Sequence, residues 1–334
     1  MTGTPGTAPV LEVSGLTTQF TRYGRTSTVV DDVSFHINRG ETLGLVGESG
    51  SGKSVTALSL VDLIAKPAGK ITAGTVMFGG RDLRTLTAQQ MQAVRGAEIG
   101  FVFQDPMSSL NPTLTVGFQV AEPLRRHQGL SKKQAAVRAA EMLARVGIAH
   151  PHKRLNDYPH QFSGGMRQRV MIAIALACDP QLIIADEPTT ALDVTVQAQI
   201  LELLTSLSSE LGTSVLLITH DLGVAAGICD RINVMYAGQI VESAPVAQEF
   251  AHPQMPYTSG LLRCLPRIDD DPDSLFEPIP GGPPNLLALP PGCRFAPRCP
   301  HAREVCRQEN PQLTARGNSQ TARCWGTEPG GWVS

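Results

Sequence analysis

The sequence lacks several features that mark membrane, secreted and nucleic-acid-binding proteins. No apolar run approaches the ~20 residues that a membrane-spanning helix needs. Residues 1–9 are rich in Thr, Gly and Pro and do not show the charged and then apolar pattern of a secretion signal. The net charge of -2 gives no hint of a nucleic-acid partner. We therefore expect a protein that stays in the cytoplasm and binds no nucleic acid.

The composition is that of an ordinary globular protein. Of the 334 residues, 42% are apolar and 17% are charged, which allows a large core and one or two domains. The chain has seven cysteines. In a reducing compartment we expect these to be thiols or metal ligands rather than disulfides.

One stretch fits the phosphate-binding pattern of two glycines four residues apart followed by Lys and Ser. It consists of Gly47, Glu48, Ser49, Gly50, Ser51, Gly52, Lys53 and Ser54. The glycines allow backbone N–H groups to point at phosphate oxygens, Lys53 would reach the β- and γ-phosphates, and the Ser54 hydroxyl would bind Mg²⁺. An apolar strand-like run precedes the stretch and apolar residues at helical spacing follow it, which is the setting that a P-loop requires.

Two alternating segments before this loop, residues 10–20 and 29–37, predict half-buried strands joined by a turn near Tyr23. They would form an antiparallel edge. Phe20 or Tyr23 is a candidate for stacking on an adenine ring, although a packed strand residue or a turn aromatic is at least as good an interpretation for either one.

Further segments alternate between the strand and helix patterns. Strands are expected at 75–78, 99–103, 181–185 and 214–219, and helices at 88–94, 132–146 and 196–211. Ser131 and Gln134 form a capping box, and Gly212 is a helix stop signal. This order predicts a parallel α/β sheet with right-handed crossovers and a helical insertion between Gln104 and Gln161.

Polar residues follow several of these strands directly. Gln104, Asp186, Glu187 and His220 all stand where a predicted strand ends. Ligands of parallel sheets bind beyond the carboxyl ends of the strands, so we expect these groups and the P-loop to converge. Asp186 then suits Mg²⁺ and Glu187 suits a general base. Taken singly, each residue is better explained as a helix N-cap or a solvated loop residue, and the functional interpretation rests on the set as a whole.

The segment Phe162-Ser163-Gly164-Gly165-Met166-Arg167-Gln168-Arg169 resembles the signature motif of ABC-transporter ATPases. The P-loop, Gln104, Asp186 with Glu187, the run 191–193 and His220 resemble the other motifs of that family, in order. The resemblance implies a RecA-like P-loop core with an antiparallel β edge and a helical subdomain at about 104–165. It also implies that the ligand is MgATP. Three residues would then bind the magnesium ion: Ser54, Gln104 and Asp186. The catalytic residues would be Glu187, His220 and Gln104.

The signature residues Ser163, Gly164 and Gly165 would open a helix whose N-terminal N–H groups face an anion. In the family this anion is the γ-phosphate held by a second ATPase subunit. Met166 departs from the usual Gln and leaves the Ser and Gly contacts intact.

Beyond about residue 245 the chain becomes Pro-rich and shows no further sheet pattern. Segments 252–258, 279–284 and 291–299 resemble the C-terminal extension of oligopeptide, dipeptide and nickel importer ATPases. We therefore expect an ATPase domain at 1–245 and an extension at 246–334. Within this family the chain resembles the D-type subunit. The resemblance implies an F-type ATPase partner, two membrane permeases, an extracytoplasmic solute-binding protein and a peripheral position on the cytoplasmic face of the cell (inner) membrane.

The expected function is ATP hydrolysis that drives import of di- or oligopeptides. Import of nickel or another small solute is the alternative within the family. A soluble ABC ATPase of DNA repair or translation is disfavoured because a second P-loop, a long coiled-coil insertion and a basic face are lacking. A regulatory subunit without turnover is disfavoured by Glu187 and His220.

Four cysteines cluster near the C-terminus, at positions Cys293, Cys299, Cys306 and Cys324. They could be buried thiols, as we expect for Cys178, Cys229 and Cys264. Four thiolates also suit a structural zinc site, although zinc ligands usually come in pairs about two to four residues apart. An iron–sulfur cluster is equally compatible with the ligand type. Resemblance to the peptide-importer ATPases, some of which carry a four-iron cluster here, favours a structural [4Fe-4S] cluster.

Overall fold

The computed structural model of the chain describes residues 8–190, 192–265, 278–328 and 330–333. Its strands are β1 (Leu11–Arg22), β2 (Arg25–Ile37), β3 (Thr42–Val46), β4 (Gly69–Phe78), β5 (Arg81–Asp82), β6 (Ile99–Val102), β7 (Leu182–Asp186), β8 (Ser214–Thr219), β9 (Arg231–Tyr236), β10 (Gln239–Pro245), β11 (Thr314–Gly317) and β12 (Gln320–Ala322). Its helices are α1 (Lys53–Leu60), α2 (Ala88–Val94), α3 (Pro106–Ser109), α4 (Val116–Gln128), α5 (Lys132–Arg145), α6 (Pro151–Arg154), α7 (Gly164–Leu176), α8 (Val194–Leu211), α9 (Leu222–Ile228), α10 (Val246–Ala251), α11 (Pro256–Arg263) and α12 (Glu304–Gln308). The mixed α/β class predicted from the sequence is confirmed.

The chain divides into two compact units. The first comprises Met1–Leu11, His36–Thr42 and Met77–Ile218. The second comprises Glu12–Phe35, Leu43–Val76 and Thr219–Ser334. The P-loop and the C-terminal segment thus belong to the same unit. The domain boundary predicted at residue 245 was drawn from sequence motifs, whereas these two units are defined by compactness. The boundary at 245 therefore stays a prediction.

The first unit contains a parallel three-strand arrangement. β6 pairs with β7, and β7 pairs with β8, both in parallel register. All five residues of β7 are buried, as expected for a strand covered on both faces. Because parallel strands end at one edge, the residues that follow β6 and β7 emerge side by side.

A group of helices follows β6, as predicted for the insertion. α4 packs against α5 and α7, and Leu124, Ala135 and Ala177 form a fully buried cluster between them. Ser131 accepts a hydrogen bond from the N–H of Gln134, whose side chain reaches back to the Ser131 N–H. The predicted capping box is confirmed.

In the second unit, β3 pairs with β9 in parallel, and β10 pairs antiparallel with β9. The strands β1 and β2 are neighbours joined by the turn at Tyr23 and Gly24, and hydrogen bonds between Gln19 and Thr28 and between Thr21 and Thr26 show their antiparallel register. The predicted antiparallel edge is confirmed.

The expectation that no strand occurs beyond residue 245 is wrong. β11 and β12 form a hairpin, and β12 pairs with β10. These strands have four and three residues, too few to show an alternating pattern. The turn between them places Asn318 and Ser319 at φ values of 48° and 59°, which Asn tolerates better than most residues.

Within the described ranges, no helix combines the length and the apolar character that a membrane span requires.

Candidate functional site

The P-loop connects β3 to α1, in the strand, loop and helix order expected. Gly47, Gly50 and Gly52 have φ values of 150°, 78° and 106°, a region that favours glycine. A Cβ at Gly47 would collide with the carbonyl oxygen of Met235, and one at Gly52 would lie 2.7 Å from that of Val29. Gly47 and Gly52 are therefore required both for their positive φ angles and for the close approach of neighbouring backbone.

The polar groups of this loop are arranged around its own backbone. Lys53 is 4% exposed, and its Nζ donates to the carbonyl oxygens of Gly47 at 2.8 Å and Glu48 at 3.0 Å. The Ser51 hydroxyl is buried and has no hydrogen-bond partner among the described residues. Since a buried unpaired hydroxyl is costly, this loop fits a ligand that supplies acceptor oxygens, as a nucleotide phosphate does.

The two aromatic candidates for adenine stacking differ in their surroundings. Tyr23 is 90% exposed at the tip of the β1–β2 turn, with the Arg22 guanidinium over its ring. Phe20 packs closely on Gly69, where an added Cβ would lie 2.8 Å from the Phe20 ring. Phe20 is thus partly covered by the backbone at Gly69, whereas Tyr23 is largely exposed.

In the first unit, Gln104 and Glu187 come into direct contact. Gln104 Nε2 donates to Glu187 Oε2 at 2.9 Å, and Thr190 Oγ1 donates to the same oxygen at 2.9 Å. Asp186, the last residue of β7, is 5% exposed. Glu187 has a φ of 45°, a strained value for this residue type, of the kind that occurs at functional sites. The carboxylate is thus held in one orientation beside the end of β7.

Sequence reasoning did not identify Thr190 as a partner of Glu187. The available signal was the spacing of three residues in Glu-Pro-Thr-Thr, which places a hydroxyl one turn beyond the carboxylate.

The signature segment begins α7. Ser163 is the N-cap, and its Oγ accepts a hydrogen bond of 3.3 Å from the N–H of Met166. A Cβ on Gly165 would lie 2.7 Å from Val196, so this glycine permits α7 to approach the start of α8. Ser163 is exposed and both Gly164 and Gly165 are partly exposed. The helix end is thus available to an outside ligand. Leu192 and Asp193 of the predicted D-loop precede α8, whereas Ala191 lies outside the described residues.

His220 directly follows β8 and is exposed. The next residue, Asp221, caps α9 by accepting from the Val224 N–H at 3.1 Å. His220, Tyr23 and the P-loop belong to the second unit, while Gln104, Asp186, Glu187 and Ser163 belong to the first. The structure brings Gln104 and Glu187 together, and the convergence of all these groups on one ligand stays a prediction.

The four C-terminal cysteines line one pocket. Its walls also include Phe295, Trp325, Trp332 and Val333. Burial raises the pKa of the Cys293 thiol to about 11, and the neighbouring thiols of Cys324 and Cys306 add to the rise. Burial likewise raises the pKa values of Cys299 and Cys324. Across the described part of the chain, no three His, Cys, Asp or Glu side chains are grouped as ligands of a metal ion. The predicted zinc or iron–sulfur centre therefore stays a prediction.

Two family models match the sequence. The model described as ABC transporter matches residues 30–190, and the one described as oligopeptide/dipeptide transporter, C-terminal region, matches residues 241–306. Their limits enclose the P-loop, the signature segment and Asp186 in the first match, and three of the four C-terminal cysteines in the second.

Curated relatives from Bacillus subtilis (strain 168) are similar over nearly the full length. The dipeptide transport ATP-binding protein DppD is 52% identical, with 95% of this chain and 94% of the relative covered. The oligopeptide transport ATP-binding protein AppD is 51% identical, covering 95% and 96%. Among solved structures, the dimeric post-hydrolysis state of the ATP-binding cassette MJ0796 bound to ADP and Pi has a TM-score of 0.64 and 32% identity, covering 71% of this chain and 98% of that one.

Proposed function

Because the chain belongs to the family of ABC-transporter ATPases with an oligopeptide/dipeptide-transporter C-terminal region, we propose that it is the subunit whose ATP hydrolysis drives import of di- or oligopeptides. The relatives with this arrangement are named as dipeptide and oligopeptide transport proteins. One structural observation supports a catalytic role most directly. Gln104 and Thr190 both donate to the Glu187 carboxylate, which follows Asp186 in sequence.

The residues have the following roles in this proposal. Residues 47–52 and Lys53 bind the phosphates of ATP, Tyr23 stacks on the adenine, and Ser54, Gln104 and Asp186 hold Mg²⁺. The metal, when bound, offsets the negative charge that develops on the phosphate oxygens. Glu187 accepts a proton from the attacking water, and Gln104 and Thr190 keep its carboxylate aimed. His220 contacts the γ-phosphate region.

The site needs a second ATPase subunit. Ser163, Gly164 and Gly165 stand at the exposed start of α7 and donate to the γ-phosphate bound by the partner. The MJ0796 cassette to which this chain is similar is described as dimeric. We propose an F-type ATPase as partner, because the sequence resembles the D-type subunit.

The first unit also offers a surface for permease subunits. Phe103, Met107, Phe118 and Tyr158 are large apolar or aromatic residues with exposed fractions of 39%, 63%, 47% and 40%. They flank the Gln104 segment and α3 to α6, the helical subdomain at about 104–165. We propose that they receive a permease helix, which places the chain at the cytoplasmic face of the membrane. An extracytoplasmic solute-binding protein then supplies the peptide.

Assembly provides the test of this function. The chain alone should hydrolyse ATP poorly, since Ser163 and Gly165 complete another subunit's site. Addition of the F-type subunit, both permeases and the peptide-loaded binding protein should stimulate turnover, and nickel-loaded binding protein should not. The measurement is ATPase rate in proteoliposomes. Full activity of a demonstrated monomer, or stimulation by nickel instead of peptide, would contradict the proposal.

For the C-terminal pocket we propose a structural [4Fe-4S] cluster held by Cys293, Cys299, Cys306 and Cys324. The support for this proposal is that all four thiols line the same apolar pocket. Thiolates are the ligands of such clusters, and a four-iron cluster spans more space than a single ion. The cluster would cross-link the segment that contains α12 and the β11–β12 hairpin. It would play no part in hydrolysis.

Anaerobic purification followed by iron, zinc and sulfide analysis tests this cluster. We expect iron and sulfide in equal amounts and a brown colour. Cys306→Ser should lose the colour and lower the thermal unfolding midpoint, whereas the matched control Cys178→Ser, outside this pocket, should keep both. A colourless protein with stoichiometric zinc, or one with no metal, would refute the cluster.

A further inference from the structure

The P-loop contains a carboxylate, which is an unusual neighbour for a ligand with several negative charges. Glu48 follows the first glycine of the loop. Its side chain is 27% exposed, so water screens it only in part. A carboxylate in this place repels nucleotide phosphates unless a cation compensates it.

Arg298 of the C-terminal segment supplies that cation. Its Nη1 donates to Glu48 Oε2 at 2.7 Å and its Nη2 donates to Glu48 Oε1 at 2.9 Å. This bidentate geometry is the strongest form of an arginine–carboxylate pair. The Arg298 side chain is 6% exposed, and the pair raises the pKa of its guanidinium above the usual value. Both residues belong to the second compact unit.

Arg298 is itself fixed by its surroundings. Its Nε donates to the carbonyl oxygen of Pro280 at 2.8 Å. Its guanidinium carbon lies 5.8 Å from the ring centroid of Tyr236 and 5.9 Å from that of Phe295. A guanidinium held by a carbonyl and two rings keeps one orientation, so it positions Glu48 rather than following it.

A second residue of the C-terminal segment holds the backbone at the same place. The Glu48 N–H donates to the Tyr257 hydroxyl at 2.9 Å. Tyr257 is fully buried and packs with Tyr236 and Phe295 at ring distances of 4.6 and 5.4 Å. Pro283 and Pro284 also line a pocket with residues 48–51. Side chain and backbone of Glu48 are therefore both tied to residues beyond 245.

We propose that Arg298 is a positioning residue of the ATP site, which neutralises Glu48 and, with Tyr257, fixes the start of the P-loop. The C-terminal segment therefore sets the affinity of the chain for MgATP. This inference rests on the assignment of residues 47–54 as the phosphate-binding loop.

Removing the guanidinium leaves the Glu48 carboxylate uncompensated beside the phosphates. Since hydrogen bonds to charged groups contribute about 1.5–3 kcal/mol, we expect Arg298→Met to raise the Kd for MgATP roughly 10- to 100-fold. Glu48→Gln is measured as the second single variant of the cycle, and in its background Arg298→Met should change Kd far less, because the charge that needs compensation is absent. The double variant Arg298→Met with Glu48→Gln should then recover most of the lost affinity.

The double variant separates electrostatic positioning from a merely structural role. If Arg298 only stabilised the C-terminal segment, the double variant would bind as weakly as Arg298→Met, and that result would overturn the proposal. Wild-type affinity of Arg298→Met would overturn it as well. Arg307→Met is the matched control, because Arg307 is exposed in the same segment and contacts only Glu304 among the ion pairs of the described chain; its Kd should not change.

Equilibrium binding of MgATP to the full chain is the measurement, with thermal unfolding of each variant recorded without nucleotide. Should Arg298→Met fail to fold, Arg298→Lys serves in its place. Lysine keeps the positive charge but cannot make the bidentate contact, so we expect the Kd for MgATP to rise roughly threefold. Adding Glu48→Gln should remove that rise. Unchanged affinity of Arg298→Lys with and without Glu48→Gln would then count against the proposal. Lys53→Ala tests the loop assignment separately, since it should lose binding whether or not Arg298 acts as proposed.

Discussion

Glu187→Gln is expected to bind MgATP as the wild type does and to hydrolyse it about 10²–10⁴-fold more slowly, the usual cost of losing a general base. The amide keeps the size of the side chain and can still meet Thr190, which donates to Glu187 Oε2. It cannot accept the proton of the attacking water. The variant should therefore separate binding from turnover.

The measurement is turnover in an assembled transporter whose second ATPase subunit carries an inactivated P-loop, so that only this chain's site is counted. Glu202→Gln, an exposed glutamate on α8, is the matched control and should hydrolyse ATP normally. Near-normal hydrolysis by Glu187→Gln would refute the assignment of the base.

Lys53→Ala is expected to fail one step earlier, at binding. The ammonium is held at the carbonyl oxygens of Gly47 and Glu48, at the first turn of the loop. Without it the β- and γ-phosphates lose their main compensating charge. At a MgATP concentration about 100 times the wild-type Kd, the wild type should gain about 2.7 kcal/mol of unfolding free energy and the variant almost none.

Lys66→Ala provides the control for this change. Lys66 is a surface lysine whose side chain is 63% exposed and pairs with Asp62 at 2.8 Å. We expect MgATP to stabilise this variant as much as the wild type. Equal stabilisation of Lys53→Ala would instead show that the loop does not bind phosphate through this residue.

The parts of the fold that sequence predicted well depend on local signals. Residues 88–94 were expected to be helical and form α2 with these bounds, and the capping box at Ser131 and Gln134 is present. The stop signal at Gly212 is a left-handed C-cap of α8. Each of these features is decided by residues within one or two helical turns, so the chain itself carries the information.

Features that depend on distant residues were missed. The strands β9 and β10 are almost fully buried, and such strands lack the alternation that reveals half-buried ones. The pairing of Arg298 with Glu48 joins positions 250 residues apart in sequence. No periodicity or spacing connects them, because the contact exists only after the C-terminal segment has packed on Tyr236.

The candidate site divides in the same way. The sequence could propose the P-loop, Gln104, Asp186 and Glu187 as site residues because their motifs are contiguous or stand at strand ends, and their convergence on one ligand stays a prediction. The sequence also could not choose between Phe20 and Tyr23 as the stacking residue, because the difference in their exposure comes from tertiary packing, which places Phe20 against Gly69.

Uptake of a labelled dipeptide into proteoliposomes tests the central claim most directly. The vesicles would contain this chain, its F-type partner, both permeases and the binding protein, with ATP supplied on the side of the ATPase subunits. We predict uptake that requires ATP and that falls sharply with Glu187→Gln, while Glu202→Gln behaves as the wild type. Dipeptide uptake that proceeds equally without ATP, or that is unaffected by loss of the Glu187 carboxylate, would contradict the account.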